Sequence, residues 1–555
     1  DVLLMRWMNE PGSASENFVR EVHEASEGLV DKTMRDSVEG ALKHGGVLQG
    51  GGRACRDARL CLEMARSLCP KLMANNLWAQ AKAEMPVVAL LARMEDTGVP
   101  FCSGEFDAME RKVQKRLDKL QEIVNKHLAP AGRGAVKISE AAKLGERLFL
   151  PQGEGGLGLP YPPQDAQKQG KNKARQKFST NKETLQFVRL TLKKGFSSKP
   201  RDERDKIEES CALLDSITEF RSLAKLIGNL KSLPHHAQEF QGRGMRFATK
   251  FFQTSSKTGR ITTDEPNLQC LQKEAHFKLS QTTQSLLLSS AARSPADSAG
   301  RKGHEIVLRS CVRARPGWVI LSADWSQIEL RIMAHFTQDS TLLECFRSKG
   351  DFFRHLAASW KKLDPASVTQ EERDQVKTMA YGLVYGMGNN SLAKKMDVSD
   401  EEAKQLRSDL ESRLGGFNDW KCAALAACRK DGFVQTLGGR KRFFDFEGKS
   451  PDDQAKSERE AINTIFQGSA ADILKRTMLR VHLELSRGGL AADCLLVLEV
   501  HDELVFEVKE SRLAEAVALA SRTMREAAKD LKQVELDVKI MAGPSWGDLQ
   551  PYCGP

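Results

Sequence analysis

The stretch that most limits how this chain can fold is LLVLEVHDELVFEV, residues 495 to 508. Two apolar runs, each broken by a single glutamate, flank His501, Asp502 and Glu503. That pattern predicts two adjacent antiparallel strands joined by a tight turn, with the charged residues at its tip. A solvent-facing turn and a site carried on a rigid ribbon both fit the tip. A second strand ends in a similar way. In WVILSADWSQIELRIMAHF a short apolar strand, Trp318 to Ala323, runs directly into Asp324, and an amphipathic helix is expected from near Ser326. One carboxylate thus sits at a strand end and another at the tip of the ribbon.

With 555 residues the chain is too long for one core, and three or four packed units are expected. Hydrophobic residues at 40% and charged residues at 28% exclude a mostly disordered or fibrous chain. No apolar run approaches the roughly 20 residues that span a bilayer, and no secretory signal opens the chain. A soluble intracellular protein with no membrane partner is expected. The absence of a methionine before Asp1 suggests a segment of something longer. Twelve cysteines form no CxxC pair or zinc-spaced cluster, which fits reduced thiols. A formal charge of +10 has the sign that attracts polyanions.

The first half reads as helical, at CRDARLCLEMARSLCPKL, EMPVVALLARMEDTGVP and FDAMERKVQKRLDKLQEIVNKHLAP, the last suited to half of a helical hairpin. Residues 152–177 (rich in Gly, Pro, Gln and Lys) and 280–305 (rich in Ser and Ala) read as loops. Such loops are usually surface insertions, and their basic ends leave room for contacts with a phosphate backbone.

Two fixed carboxylates, Asp324 and Asp502, are what a two-metal phosphoryl-transfer site needs. Magnesium takes hard oxygen ligands and keeps positions for substrate phosphate and water, and a metal pair stabilises both the attacking and the leaving oxygen. Between them, in ERDQVKTMAYGLVYGMGNNSLAKKM, the spacing of Arg373, Lys377 and Tyr381 puts two cations and an aromatic on one helix face. That face suits a nucleoside triphosphate. Gly382, Gly386 and Gly388 would keep backbone bulk low along the same helix.

These segments resemble family A DNA polymerases. DWSQIELR is similar to the family's first palm motif, RDQVKTMAYGLVYG to its finger-helix pattern, and VHDELVFEV to its third motif. TGRITTDEPNLQ (258–269) and the stretch from Glu458 to Lys475, with AINTIFQGSAADILK, complete five motifs in family order. GDFFRHLAASW, VYGMGNNSLAKKM, KDGFVQT and SWGDL resemble the eukaryotic theta and nu branch, theta above all, and the two loops fall where theta carries insertions. Against that, no insertion separates QGSAAD from VLEVHDE, and no helicase signature occurs.

The resemblance implies an α+β right hand with an antiparallel palm sheet, helical thumb and fingers, and an N-terminal partial exonuclease-like domain. The implied divisions are 1–85 for the exonuclease-like part, 86–240 for the thumb with a basic insertion near 152–177, 241–345 for the first palm part with an insertion near 278–305, 346–440 for the fingers, and 441–555 for the second palm part. The implied activity is template-directed DNA synthesis with two Mg2+ ions, Mn2+ substituting, on primer-template DNA and dNTPs. By resemblance Asp324 and Asp502 are the metal ligands, with Glu503 and Lys377 also catalytic. Arg373, Lys377, Tyr381, Gln327, Glu329 and Tyr385 are implied to bind the nucleotide, Glu329 as the gate against a 2′-hydroxyl. Tyr381, rather than Phe, implies efficient dideoxynucleotide incorporation. Arg260, Arg459, Asn463, Gln467 and His501 are implied to contact DNA.

Several positions depart from the family pattern. Trp325 replaces a Tyr, adding bulk that is expected near the metals and a lowered activity. Phe353 stands where bacterial members have a His, and Cys270 and Gln272 interrupt a turn on the primer path. Asp1 and Asp57 resemble exonuclease acids, but Arg53 replaces the expected Tyr, so no proofreading is expected. A repair polymerase of the nucleus, with an upstream helicase domain or partner, is the leading reading. An organellar replicative enzyme and a catalytically weak DNA-binding scaffold are the alternatives.

Overall fold

The computed structural model describes residues 66, 68–128, 134–162, 178–271, 307–396, 398–527, 529, 531 and 533–552. Asp1, Arg53, Asp57, most of the exonuclease-like segment, the 280–305 loop, Gln272 and residues 163–177 of the basic loop lie outside them. The chain divides into two compact units, one of Phe101–Ala237 and Leu271–Val312, the other of the remaining residues. Among the described residues no helix is long and apolar enough to cross a membrane.

The smaller unit is helical. Its helix Ser103–Leu128 buries Phe106, Met109, Val113, Leu117, Leu120, Val124 and Leu128, the 3–4 spacing of a single apolar stripe. It packs on helix Arg201–Leu230, and Arg116 clamps Glu219 across the pair with bonds of 2.7 and 3.0 Å. The partner of this helix is therefore not its neighbour in sequence, as a helical hairpin would require, but a helix that begins more than 70 residues later. Shorter helices, Ala141–Phe149 and Lys182–Lys193, add Leu144, Leu148, Leu185 and Val188 to the same core. Asn181 caps the second by accepting from the backbone N–H of Thr184.

The larger unit is built on a five-stranded antiparallel sheet. In chain order the unit contains helix α1 (Trp78–Thr97), strand β1 (Trp318–Trp325), helices α2 (Ile328–Thr337), α3 (Phe352–Lys361), α4 (Gln370–Val384), α5 (Gly415–Asp431) and α6 (Pro451–Arg487), strands β2 (Cys494–Val500) and β3 (Glu503–Lys509), helix α7 (Leu513–Glu526), and strands β4 (Val538–Gly543) and β5 (Gln550–Pro551). The sheet order is β5-β4-β1-β3-β2, with β1 in the middle. Successive residues of β1 point to opposite faces of the sheet, and burial of consecutive residues shows that both faces are covered. Ile320, Leu321 and Ala323 are all buried.

Strand β1 extends past the expected Ala323 and includes Asp324 and Trp325. Side chains alternate along a strand, so the indole of Trp325 turns away from its neighbour. It is 1% exposed and its Nε1 donates to the carbonyl of Met524 on α7 at 3.2 Å. The expectation that Trp325 adds bulk beside the acids is therefore corrected: the side chain belongs to the core beneath them.

Helix α6, the longest at 37 residues, crosses this core. At Gly468 a Cβ would stand 2.6 Å from the Thr436 methyl, so only glycine permits that approach. Four charged side chains are buried around it. Lys475 of α6 donates to Glu84 of α1 at 2.8 Å, and Arg440 bridges Glu84 and, at 2.7 Å, Asp472. Gln253 adds a 2.8 Å bond to Glu84 and Thr436 a 2.6 Å bond to Asp472. This network ties α1 and the Arg440 loop to the helix that carries Arg459, Asn463 and Gln467.

Candidate active site

The turn between β2 and β3 contains only His501 and Asp502, because Val500 already pairs with Glu503. His501 takes a φ of 64°, the left-handed region that a β-hairpin turn of this length demands and that glycine usually supplies. A histidine held there is strained, and strain of this kind is kept where the surrounding structure imposes it. The turn places Asp502 against β1. Trp325 N–H donates to the Asp502 carbonyl at 3.2 Å, and Asp324 lies opposite Glu503 in the β1–β3 register. The two aspartates therefore occupy adjacent strand ends.

Glu503 is held on the same ribbon by two donors. Its Oε1 accepts from Ser322 Oγ at 2.6 Å and from the indole N–H of Trp546 at 2.8 Å. Burial pushes the Asp502 carboxyl up to about 7, and the neighbouring charges of Glu329 and Glu503 push in the same direction against Arg260. Crowded, desolvated carboxylates of this kind fit a hard divalent cation, which would relieve the repulsion. Among the described residues there is no group of three or more His, Cys, Asp or Glu side chains arranged to hold a metal ion.

Helix α2 starts beside this pair. Gln327 takes a φ of 54° at its N-cap, and Glu329, 5% exposed, sits in its first turn. Glu329 is ion-paired with Arg260, a bond that joins the 258–269 segment to α2, and it is also hydrogen-bonded to the Tyr385 hydroxyl. Each of the three residues lies in its own sequence motif, and no local pattern marks that they meet.

Helix α4 brings the cationic face. Thr369 and Glu372 form a reciprocal capping box at its start, and Arg373, Lys377 and Tyr381 follow along one side. Arg373 is bound by Asp351 at 2.9 Å and Asp374 at 2.8 Å, while Lys377 is exposed. The guanidinium of Arg373 and the ammonium of Lys377 stand 5.5 and 5.9 Å from the ring centre of Phe353 on α3. Phe353 is buried and supports both cations by their attraction to its π-face. Tyr381 and Tyr385 are stacked, 5.9 Å apart at 14°. Burial first, then the charges of Asp502, Glu329 and Asp324, raise the Tyr381 hydroxyl pKa above its ordinary value. The helix face and the acidic strand ends therefore border the same space.

One expectation about α4 is corrected. The helix ends at Val384, so only Gly382 is helical, whereas Gly386 and Gly388 follow it. Gly386 has a φ of 61° and lies where a Cβ would meet the Arg459 side chain at 3.0 Å. Its role is a left-handed exit from the helix and a close approach to Arg459 of α6. Arg459, Asn463 and Gln467 share one face of α6 by their i, i+4, i+8 spacing. Arg459 is exposed, Gln467 half-buried, and the buried Asn463 Oδ1 has no hydrogen-bond partner among the described residues.

Comparison with known proteins accords with this arrangement. The family model described as DNA polymerase family A matches residues 104–548. DNA polymerase theta of Mus musculus is 29% identical over 530 residues, covering 85% of this chain and 20% of the mouse protein. DNA polymerase I of Chloroflexus aurantiacus is 28% identical over 508 residues, covering 91% of this chain and 47% of its own length. The chain thus spans a fifth to about half of these relatives. The POL domain of Pol1 from M. smegmatis, solved in complex with DNA primer-template and dNTP, superposes with a TM-score of 0.71 at 25% identity, covering 99% of this chain and 82% of that one. The α+β right-hand polymerase fold is accordingly the fold of this chain.

Proposed function

Because the chain belongs to DNA polymerase family A, we propose that it is a template-directed DNA polymerase that adds deoxynucleotides to a primer 3′-hydroxyl and works in DNA repair. The observation that carries this is the meeting of two elements around Tyr381: acidic strand ends on one side, and the Arg373–Lys377 face on the other.

Asp324 and Asp502 would hold divalent cations, two Mg2+ in our reading with Mn2+ as a substitute, whose charge favours both the attacking and the leaving oxygen of an in-line displacement. Arg373, paired with Asp351 and Asp374, would exchange carboxylate for triphosphate oxygens, and Lys377 would add a second charge-assisted contact. The paired rings of Tyr381 and Tyr385 offer a stacking surface to the incoming and templating bases. Glu329, fixed from two sides by Arg260 and Tyr385, fills the volume that a ribose 2′-hydroxyl would need. Gln327 lies beside it. Arg260, His501, Arg459, Gln467 and Asn463, with its unpartnered acceptor, would bind primer and template. Positioning and charge supply the rate, as expected for phosphoryl transfer.

The similarity to theta supports a repair role, through joining of ends that share short homologies or synthesis past lesions, and with it a nuclear location and an upstream helicase domain or partner. An organellar replicative role is the alternative, addressed by locating the full-length protein in cells. The test is primer extension with magnesium on a matched template and on two ends sharing a short 3′ homology. Extension by the parent that Asp502→Ala abolishes is expected. Salt-sensitive DNA binding without extension would overturn the reading in favour of a scaffold.

A further inference from the structure

Strand β4 places beside Asp324 a cation that the chemistry described so far does not use. In the ladder of the sheet, Asp324 on β1 stands opposite Glu503 on β3 and opposite Lys539 on β4. Residues directly opposite in antiparallel strands project from the same face, with Cβ atoms about 4.5–5.5 Å apart. Glu503, Asp324 and Lys539 therefore form one row across the sheet, with the aspartate in the middle. The register between β4 and β1 runs through six consecutive pairs, from Val538 opposite Trp325 to Gly543 opposite Ile320. Lys539 cannot change face without a slip of the whole strand.

An exposed lysine on a sheet is commonly a solubilising residue, or one that blocks pairing at an open edge. Two observations favour a role in the site. The outer side of β4 is already covered at this level: the Tyr552 N–H donates to the Ile540 carbonyl at 3.1 Å, and β5 pairs with Met541 and Ala542. The other acids near Lys539 are also engaged. Asp537 is ion-paired with Arg331 at 3.1 Å, the charge of Glu535 acts on the same guanidinium, and Glu503 is held by Ser322 and Trp546. Lys539 itself is exposed and makes no ion pair among the described residues. Asp324 is thus the acid against which the sheet sets it.

We propose that Lys539 sets how much divalent cation the site requires. Its ammonium offsets the charge of Asp324 and repels the incoming ion, so the site fills only at a higher free metal concentration than the carboxylates alone would need. An ammonium and a divalent ion about 6 Å apart in a water-like dielectric repel enough to weaken binding about tenfold, and salt reduces this to about fivefold. The inference rests on the polymerase reading, in which Asp324 and Asp502 hold the ions, and adds to it a residue that tunes their affinity.

The test titrates Mn2+, with the free ion read by electron paramagnetic resonance, into the full chain bound to a dideoxy-terminated primer-template and the matched dNTP. Lys539→Gln and Lys539→Met should bind Mn2+ about fivefold more tightly than the parent, and Lys539→Arg, which keeps the charge, should match the parent. A gain of affinity cannot come from a damaged fold, which would weaken the site. Half-maximal primer extension should need about fivefold less Mg2+ in the two neutral variants, and their advantage should shrink as salt is raised. Unchanged or weaker Mn2+ binding by both would overturn the proposal. So would a loss of primer-template affinity in EDTA with no gain in Mn2+ affinity, because the ammonium would then be a phosphate contact and not a competitor of the metal. Mn2+ binding that Asp502→Ala leaves intact would instead count against the polymerase reading itself, and the inference would fall with it, so the two failures are distinguishable.

Discussion

The buried charges around Glu84 make a quantitative prediction. Glu84 is 2% exposed and accepts from Lys475 and Arg440. Burial works to raise its pKa, but the two cations together outweigh burial and lower it from 4.5 to about 2. A carboxyl depressed in the folded state contributes stability that is present above its unfolded value and is lost as pH falls through the folded one. The window is therefore about pH 4.5 down to about 2, and the contribution at neutral pH is about 3 kcal/mol. Lys475 has the opposite sign: burial, with Arg440 beside it, outweighs Glu84 and lowers its pKa below 10.5. Removing the glutamate charge alone should thus be costly, because Lys475 and Arg440 stay buried. Glu84→Gln is expected to destabilise by about 3 kcal/mol and to lower the midpoint of thermal unfolding at pH 7 by several degrees. Replacing both partners, Glu84→Met with Lys475→Met, should recover at least half of that loss, since a well-packed apolar pair avoids the desolvation cost. Calorimetry or circular dichroism reads both quantities. A Glu84→Gln variant within about 0.5 kcal/mol of the parent, the size of a surface change, would refute the reasoning. So would a double variant no better than the single one.

Three further outcomes follow from the site. Glu329→Ala should admit ribonucleotides at the expense of deoxynucleotide preference, measured as the ratio of kcat/KM for the two sugars, and an unchanged ratio removes Glu329 from the gate. Trp546→Phe deletes one of two donors to Glu503 while keeping an aromatic ring; single-turnover extension should slow by about tenfold with little change in nucleotide affinity, the loss expected for one hydrogen bond to a charged group. Glu499 is fully enclosed on β2 and accepts from Gln269 at 3.0 Å, and burial raises it to about 8. An acid raised in this way costs stability as pH climbs from its ordinary range through about 8, so Glu499→Gln should raise the unfolding midpoint more at pH above 8 than near 5.

What could be read without coordinates was whatever depends on nearby residues. The β2–β3 turn was legible because two apolar runs and the charges between them lie within fourteen consecutive positions. The face formed by Arg373, Lys377 and Tyr381 was legible because helix periodicity alone aligns it. The family resemblance then implied which strand-end acids belong together. Tertiary structure decided the rest. Trp325 was expected beside the acids, yet the direction of its side chain depends on how far β1 extends and on α7 lying beneath it. The sequence pattern runs the helix through Gly386, yet it stops two residues earlier, and Arg459, which Gly386 accommodates, comes from another element. The bonds among Glu329, Arg260 and Tyr385, and the burial of Glu84 with Arg440, Asp472 and Lys475, join residues up to 391 positions apart. No local pattern marks such pairs, because their energy comes from desolvation and from partners that only the packed chain brings within reach.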